Sequence, residues 1–260
     1  MRIVLKVGTS TLAHPGGRLN IRRVELLCKV LSDLKNAGHQ LVLVSSGAIG
    51  MGVGKLGLPG RPADMPGKQA AAAVGQCELM YTYDKLFAEY SHTVAQLLLT
   101  ADDIRDERRS VHVHDTLERL LELGAIPIIN ENDAVATDEI GIETTIGEND
   151  SLSAIVACLV HADLLVLLSD IDGLYTADPH RDPTATLIPV VEALTPEVLA
   201  LAGGAGTSLG TGGMATKLRA AAIAGEAGID MIITNGIHPE LLYDLPEGKP
   251  VGTRFLGKKA

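Results

Sequence analysis

The sequence predicts an α/β fold in which helices cover both faces of a mainly parallel sheet. Short, unbroken apolar runs such as Leu164 to Leu168 are typical of strands that are buried on both faces. Segments with helical periodicity lie between these runs, as in α/β proteins. The chain has 260 residues, no Trp and 2 Phe, and 46% of it is hydrophobic, which indicates a large aliphatic core.

Composition also limits the class of function. The net charge of −10 argues against a nucleic-acid surface, which needs basic residues to neutralise phosphates. No apolar run reaches the roughly 18 residues of a membrane span, and no secretory signal is visible. Cys28, Cys77 and Cys158 show no metal-ligand spacing, so we interpret them as small core residues of a protein in the reducing cytoplasm.

The strands are predicted from their apolar runs, and the final one is expected at an edge of the sheet. In chain order they are Ile3 to Val7, Leu41 to Val44, Thr93 to Leu99, Ile126 to Ile129, Leu164 to Leu168, Leu187 to Val191, Ile229 to Thr234 and Thr253 to Leu256.

The helices are predicted from apolar spacing and from capping residues at their ends. Asn20 can cap the first, and Pro66 can open the second. The expected helices run from Asn20 to Gly38, from Pro66 through Phe87, through Leu117 to Gly124, from Leu152 to Val160, from Pro196, and from the turn before Lys217 to about Ala227.

Residues 47–60 lead to a different expectation, because glycines recur at positions 47, 50, 52, 54, 57 and 60. So much glycine is unfavourable in packed secondary structure. We therefore expect a loop that approaches a ligand, although a flexible surface linker would have the same composition.

Polar or Gly-rich turns follow four of the predicted strands. They are Lys6-Val7-Gly8, Ser45-Ser46-Gly47, Asn130 to Asp133 and Ser169-Asp170. The carboxyl ends of parallel strands meet at one edge of a sheet, where ligands bind. The sequence therefore predicts a site at this edge. Taken alone, Lys6 also fits a strand lysine that reaches solvent.

Two further stretches carry groups suited to this site. Gly210 to Lys217 combines glycines, hydroxyls and a lysine before a helix, as phosphate sites do. Asn149-Asp150-Ser151 precedes another helix; one of these residues can cap it, which leaves the others for a ligand. Lysines from opposite ends of the chain suit phosphoryl transfer. No P-loop, dinucleotide or Asp-Phe-Gly signature is present.

Together these motifs resemble the glutamate 5-kinases of the amino acid kinase family, over nearly the whole chain and in the same order. The residues that carry the resemblance are Lys6 to Ser10, Ser45 to Ile49, Asn130 to Thr137, Gly173 to Pro179 and Gly210 to Lys217. The resemblance implies an open αβα sandwich and one kinase domain over residues 1–260. Its acceptor-binding lobe would span about 1–162 and its nucleotide-binding lobe about 163–260, without the PUA domain of many relatives.

The resemblance also implies an activity. The enzyme would use ATP to phosphorylate the γ-carboxylate of L-glutamate, giving L-glutamyl 5-phosphate in the first step of proline biosynthesis. It implies Mg²⁺ held mainly through the ATP phosphates, inhibition by proline, a homodimer or homotetramer, hand-off to glutamyl phosphate reductase and a cytoplasmic location. A carboxylate acceptor is already ionised at neutral pH, so no general base is needed.

Matching motif positions imply the roles of individual residues. Glutamate would be bound by Ser46, Asp133 and Asn149, and Asp150 would orient the two lysines. The backbone of Gly8 and Gly47 would face the transferring group. ATP would be bound by Lys6, Ser169, Asp170, Thr211, Gly212, Gly213, Met214, Ala215, Thr216 and Lys217.

Two other functions stay open. A kinase of the same fold could act on another acceptor, such as a uridine nucleotide, although the acids of Asn130 to Asp133 disfavour a second phosphate. A catalytically inactive sensor of glutamate or proline is the other alternative. The presence of Lys6, Asp150 and Lys217 argues against it.

Overall fold

A computed structural model describes residues 1–14, 18–135, 149–179, 181–202 and 213–258 of the chain. In these residues the strands form one eight-stranded sheet of order β3-β4-β2-β1-β5-β7-β8-β6, mainly parallel, with β8 antiparallel to β7. The predicted α/β fold class is confirmed. The strands are β1 Arg2–Val7, β2 Gln40–Ser45, β3 Val94–Leu99, β4 Ile126–Glu131, β5 Leu164–Ser169, β6 Val190–Val191, β7 Asp230–Asn235 and β8 Thr253–Phe255.

The helices begin close to where their capping residues predict. The Asn20 side chain accepts a hydrogen bond from the Arg23 N–H, and Pro66 lies in the first turn of its helix behind the cap residue Asp64. The helices are α1 Thr9–Leu12, α2 Ile21–Asn36, α3 Ala48–Leu56, α4 Met65–Ala88, α5 Ala101–Arg105, α6 Glu107–Glu122, α7 Asn149–Leu159, α8 Pro196–Ala200 and α9 Met214–Glu226, with a 3₁₀ helix at Pro239–Asp244.

The first strand, β1, lies in the middle of the sheet, and its alternating side chains contribute to two cores. Val4 packs in one core with apolar side chains of α7 and α9, while Ile3 and Leu5 pack in the other with α2 and α4. Helices therefore cover both faces of the sheet. By the same alternation, Lys6 lies on the α7 and α9 face of β1.

The predicted loop at residues 47–60 is wrong, because most of it is helix α3. A Cβ on Gly52 would lie 1.8 Å from the carbonyl oxygen of Ala71, and a Cβ on Gly75 would lie 1.8 Å from that of Ala48. The glycines therefore allow α3 and α4 to pack backbone against backbone. The low intrinsic helix propensity of glycine is outweighed by this contact.

Two smaller expectations also need correction. The strand at Thr253–Phe255 lies between β7 and β6, so it is not at the edge of the sheet. Cys28 is fully buried and Cys158 partly buried, as expected of core residues, but Cys77 is exposed on the outer side of α4. Helical periodicity in an Ala-rich segment does not show which side faces the core.

Within the described parts of the chain, no helix combines the length and apolar character that crossing a membrane requires. The expectation of a chain without a membrane span agrees with this observation.

Candidate active site

A carboxylate between two ammonium groups forms the centre of the site. Lys6 Nζ lies 2.8 Å from Asp150 Oδ1, and Lys217 Nζ lies 3.2 Å from Asp150 Oδ2. The side chains of Lys6, Asp150 and Lys217 are 12%, 1% and 8% exposed. Two cations thus stand at the carboxyl end of β1, and one buried anion fixes both of them.

The electrostatics of Asp150 follow from these neighbours. Burial disfavours the charged form, but Lys6 and Lys217 outweigh burial and lower the pKa of Asp150 to about 2. Thr216 adds a hydrogen bond, since its hydroxyl oxygen lies 2.6 Å from Asp150 Oδ2. The carboxylate is therefore ionised at neutral pH and neutralises one of the two positive charges.

Local structure explains how residues so far apart in sequence meet. Lys6 reaches the α7 and α9 face by strand alternation, and Asp150 lies in the first turn of α7 on the same face. Lys217 lies in the first turns of α9, whose apolar side packs against α7 in the same core. The sequence predicted that Asn149, Asp150 and Ser151 precede this helix. In the structure α7 begins at Asn149, so the three residues belong to its first turn.

A row of polar side chains lies beside the charged cluster. Asn149 Nδ2 donates to Ser46 Oγ at 2.8 Å and to Asn130 Oδ1 at 3.0 Å. Asn130 Nδ2 donates in turn to Gln76 Oε1 at 2.9 Å. The structure thus brings together Ser46 and Asn149, two of the three residues predicted to bind glutamate.

Asp133, the third of these residues, lies just after β4. It lines a surface cavity of about 430 Å³ together with Ala48, Gln76 and Asn132. Burial raises the pKa of Asp133, and the positive charge of Arg61 offsets this only in part. A cationic group in this cavity would stabilise the charged form of this half-buried carboxylate.

Among the described residues predicted to bind the nucleotide, Lys6 belongs to β1 itself, and Ser169 and Asp170 lie on the β5 side of β1. Ser169 ends β5, is 6% exposed, and donates a hydrogen bond to Asp170 Oδ1 at 3.2 Å. Gly213 caps α9, and Met214, Ala215, Thr216 and Lys217 form its first turns. Thr211 and Gly212 lie outside the described residues, so their predicted role is untested.

The two glycines predicted to face the transferring group differ in what they provide. A Cβ on Gly8 would lie 3.6 Å from Lys6 Nζ, so glycine leaves open the space next to this ammonium group. Gly47 has φ of +105° and precedes α3, a conformation that L residues rarely adopt. Both are backbone positions between a strand and a helix at the same edge of the sheet.

Sequence reasoning did not assign a role to Gln76, one of the residues in this arrangement. Gln76 is 8% exposed and interrupts the small apolar residues of α4. The nucleotide contact of Thr216 stays a prediction, and its hydroxyl donates a hydrogen bond to Asp150. A buried amide in an Ala-rich helix requires a partner, and that requirement was the available signal for Gln76.

The chain belongs to the amino acid kinase family, whose model matches residues 1–235. It is similar to a glutamate 5-kinase of Clostridium perfringens, with 54% identity over 99% of this chain and 96% of that one. A glutamate 5-kinase of Listeria innocua is 53% identical over 99% of this chain and 94% of its own length. The predicted resemblance and the predicted kinase class are confirmed.

Solved structures with lower identity share the fold. A carbamate kinase from Giardia lamblia bound to AMP-PNP has a TM-score of 0.67 at 18% identity, covering 99% of this chain and 98% of its own. An isopentenyl phosphate kinase of T. acidophilum, in a product complex, has a TM-score of 0.65 at 20% identity, covering 98% of this chain and 100% of its own. Both likenesses concern the architecture alone.

Proposed function

We propose that this protein transfers the γ-phosphoryl group of ATP to the side-chain carboxylate of L-glutamate, forming L-glutamyl 5-phosphate. The observation that carries the proposal is the Lys6, Asp150 and Lys217 cluster beside the amide group of Asn149. The relatives named glutamate 5-kinase support this acceptor over others.

Glutamate is proposed to bind on the β2 and β4 side of β1. Its α-ammonium group pairs with the half-buried carboxylate of Asp133, and Ser46 and Asn149 provide further polar contacts. This arrangement directs the side-chain carboxylate toward the two lysines. Binding of an ammonium group also lowers the free-energy cost of keeping the half-buried Asp133 carboxylate charged.

In the proposed reaction, one oxygen of the glutamate side-chain carboxylate attacks the γ-phosphorus of ATP. A bond forms between that oxygen and phosphorus, while the bond from phosphorus to the β,γ-bridging oxygen breaks and ADP leaves with the electron pair. The acceptor is ionised near neutral pH, so no side chain needs to remove a proton. Lys6 and Lys217 stabilise the charge on the transferring oxygens, and the Gly8 and Gly47 backbone lies beside them.

The nucleotide is proposed to lie on the β5 and α9 side, against Ser169, Asp170, Gly213 and the first turns of α9. This assignment extends to Thr211 and Gly212 by the resemblance. Among the described residues, no three His, Cys, Asp or Glu side chains are grouped as a metal site. Mg²⁺ is therefore proposed to arrive on the ATP phosphates, where it supplies charge neutralisation.

The remaining parts of the proposal rest on the resemblance. The acceptor lobe spans about residues 1–162 and the nucleotide lobe about 163–260 of one kinase domain. The enzyme acts in the cytoplasm in the first step of proline biosynthesis, as a homodimer or homotetramer, and passes its acyl phosphate to glutamyl phosphate reductase. Proline inhibits by competing for the glutamate site, because it carries the same α-carboxylate and an ammonium group. Glutamate binding that is unchanged by proline would refute this last part.

Trapping of the product tests the activity. The purified protein is incubated with ATP, Mg²⁺ and hydroxylamine, and hydroxamate is measured with L-glutamate, N-acetylglutamate or aspartate as acceptor, with UMP-dependent ADP release measured in parallel. Hydroxamate formed with L-glutamate alone is the expected result. Measurable ATP binding without turnover of any acceptor would favour a sensor over an enzyme.

A further inference from the structure

Three side-chain amides connect helix α4 to the first turn of α7. Gln76, Asn130 and Asn149 are joined by hydrogen bonds of 2.9 and 3.0 Å, and Gln76 and Asn130 are 8% and 2% exposed. Nothing in the proposed reaction requires Gln76. Gln76 nevertheless accepts a hydrogen bond at the α4 end of this row, which indicates a role in holding the other two amides.

The direction of the row is fixed by one backbone group. The N–H of Glu131 can only donate, and it lies 2.9 Å from the side-chain oxygen of Asn130. That atom must therefore be the oxygen of Asn130, which turns the NH₂ group toward Gln76. Since an NH₂ group can only donate, Gln76 must present Oε1 as the acceptor.

The same reasoning orients Asn149 on the other side of Asn130. The atom of Asn149 that lies 3.0 Å from the Asn130 oxygen must be a donor, and it is Nδ2. The same Nδ2 donates to Ser46 Oγ at 2.8 Å, which leaves the Ser46 hydroxyl proton for another acceptor. The oxygen of Asn149, Oδ1, is buried and has no hydrogen-bond partner within the described residues.

We propose that Gln76 is a positioning residue that, through Asn130, holds Asn149 with its Oδ1 toward the α-ammonium group of the acceptor. This inference rests on the proposed function, because it takes free L-glutamate as the acceptor. A buried carbonyl oxygen without a partner costs free energy, and a bound ammonium group recovers that cost. Without the Gln76 acceptor, the Asn130 NH₂ group is left unpaired, and the Asn130 side chain that contacts Asn149 is held by the Glu131 N–H alone.

Three variants separate this role from simple packing. Gln76→Met keeps the length of the side chain and removes the acceptor. Gln76→Glu keeps an acceptor oxygen whether or not the carboxyl is protonated. Gln40→Met is the matched control, because Gln40 accepts a hydrogen bond from Arg2 Nε at 3.0 Å at the start of β2, away from the site.

We expect Gln76→Met to raise the KM for glutamate about tenfold, the scale of one buried hydrogen bond, with the KM for ATP unchanged. Gln76→Glu should raise the glutamate KM less than about threefold, and Gln40→Met should behave as the wild type. The preference for glutamate over glutarate, which lacks the amino group, should fall in Gln76→Met only. A packing role predicts the opposite order, since Met is tolerated better than Glu in a buried position.

Wild-type glutamate KM in Gln76→Met, or a larger effect of Gln76→Glu, would overturn the proposal. So would a parallel rise in the KM for ATP. If Gln76→Met does not fold, Gln76→Ala is used in its place, because it removes the same hydrogen-bond acceptor.

A second measurement does not depend on turnover. In ¹⁵N-labelled protein, the Asn149 side-chain NH₂ group should exchange slowly in the wild type and in Gln76→Glu, and faster in Gln76→Met. The Asn149→Asp variant assigns the signal because it lacks the NH₂ group. No turnover of glutamate by the wild type would refute the proposed function, while equal exchange in all three proteins would refute the positioning role of Gln76.

Discussion

At the scale of single residues, the site depends on one buried carboxylate that holds two cations. Asp150 is 1% exposed, and its pKa of about 2 results from Lys6 and Lys217 outweighing burial. Both ammonium groups would otherwise repel each other in a buried place. The position of Asp150 in the first turn of α7 also suits a negative charge, because the helix dipole is positive there.

Asp150→Asn should lower kcat by roughly 10²-fold or more, because two unneutralised lysines cannot both keep their positions near the phosphates. It should also destabilise the fold by about 3 kcal/mol, as removal of one partner of a buried ion pair does. Asp115→Asn, an exposed carboxylate on α6, is the control for the chemical change. Steady-state turnover and urea unfolding measure the two effects.

The pH dependence of stability follows from the same shift. The folded-state pKa of Asp150 is about 2, below the 3.8 of a free Asp side chain, so its contribution to stability is present above pH 3.8 and is lost as the pH falls toward 2. Asp150→Asn should lack this part of the acid transition. An unfolding profile with the same acid limb in both proteins would contradict the assignment.

Asp133 is expected to show the opposite shift, because burial raises its pKa. The glutamate KM of the wild type should therefore rise as the pH falls through a value above the usual range of Asp. In Asp133→Asn the glutamate KM should no longer rise with falling pH in this way. The variant should also raise the glutamate KM by about tenfold or more, with little change in the KM for ATP. An equal loss of both substrates would mean that Asp133 is structural.

At the scale of elements, helix α3 shows where sequence reasoning stops. Its glycines have low intrinsic helix propensity, and the decisive contacts are with α4, where Gly52 meets Ala71, 19 positions further along the chain, and Ala48 meets Gly75, 27 positions further. Strands β1, β2, β4 and β5 were predicted correctly, because an unbroken apolar run indicates a buried strand from the local sequence alone. Packing between two helices has no comparable local signal.

Gly52→Ala should lower the free energy of unfolding by about 3 kcal/mol or more, because the new methyl group would overlap the Ala71 carbonyl. Gly50→Ala is the matched control in the same helix, since its Cβ would meet Thr9 Cγ2 at 3.5 Å, an ordinary contact. We expect that change to be neutral or to stabilise by up to about 1 kcal/mol. Thermal and urea unfolding distinguish the two outcomes, and equal effects would argue against close packing of α3 on α4.

At the scale of the whole molecule, the site was predictable because of the sheet. The four strands with polar ends, β4, β2, β1 and β5, are neighbours and parallel, so their carboxyl ends lie together. The order of the strands was not predictable, since nothing local to an apolar run specifies its neighbour. For the same reason Gln76, which reaches the site from a helix, could not be assigned a partner from the sequence.

The position of β1 between the two polar regions leads to a prediction about pairs of variants. Ser46 follows β2 on one side of β1, and Ser169 ends β5 on the other. Ser46→Ala removes the acceptor for Asn149 Nδ2 and a hydroxyl donor for glutamate, so it should raise the glutamate KM about three- to tenfold and leave the KM for ATP unchanged.

Ser169→Ala should have the reverse effect, because it removes a buried hydroxyl beside Asp170 on the nucleotide side. The rise in the KM for ATP should again be about three- to tenfold, with the glutamate KM unchanged. Each serine serves as the control for the other, since the chemical change is the same. In the double variant the two losses should add, because additivity is expected of sites that share no partner. Strong coupling between the two serines would mean that the acceptor and nucleotide regions are not separated by β1, and the division into two lobes would then have to be abandoned.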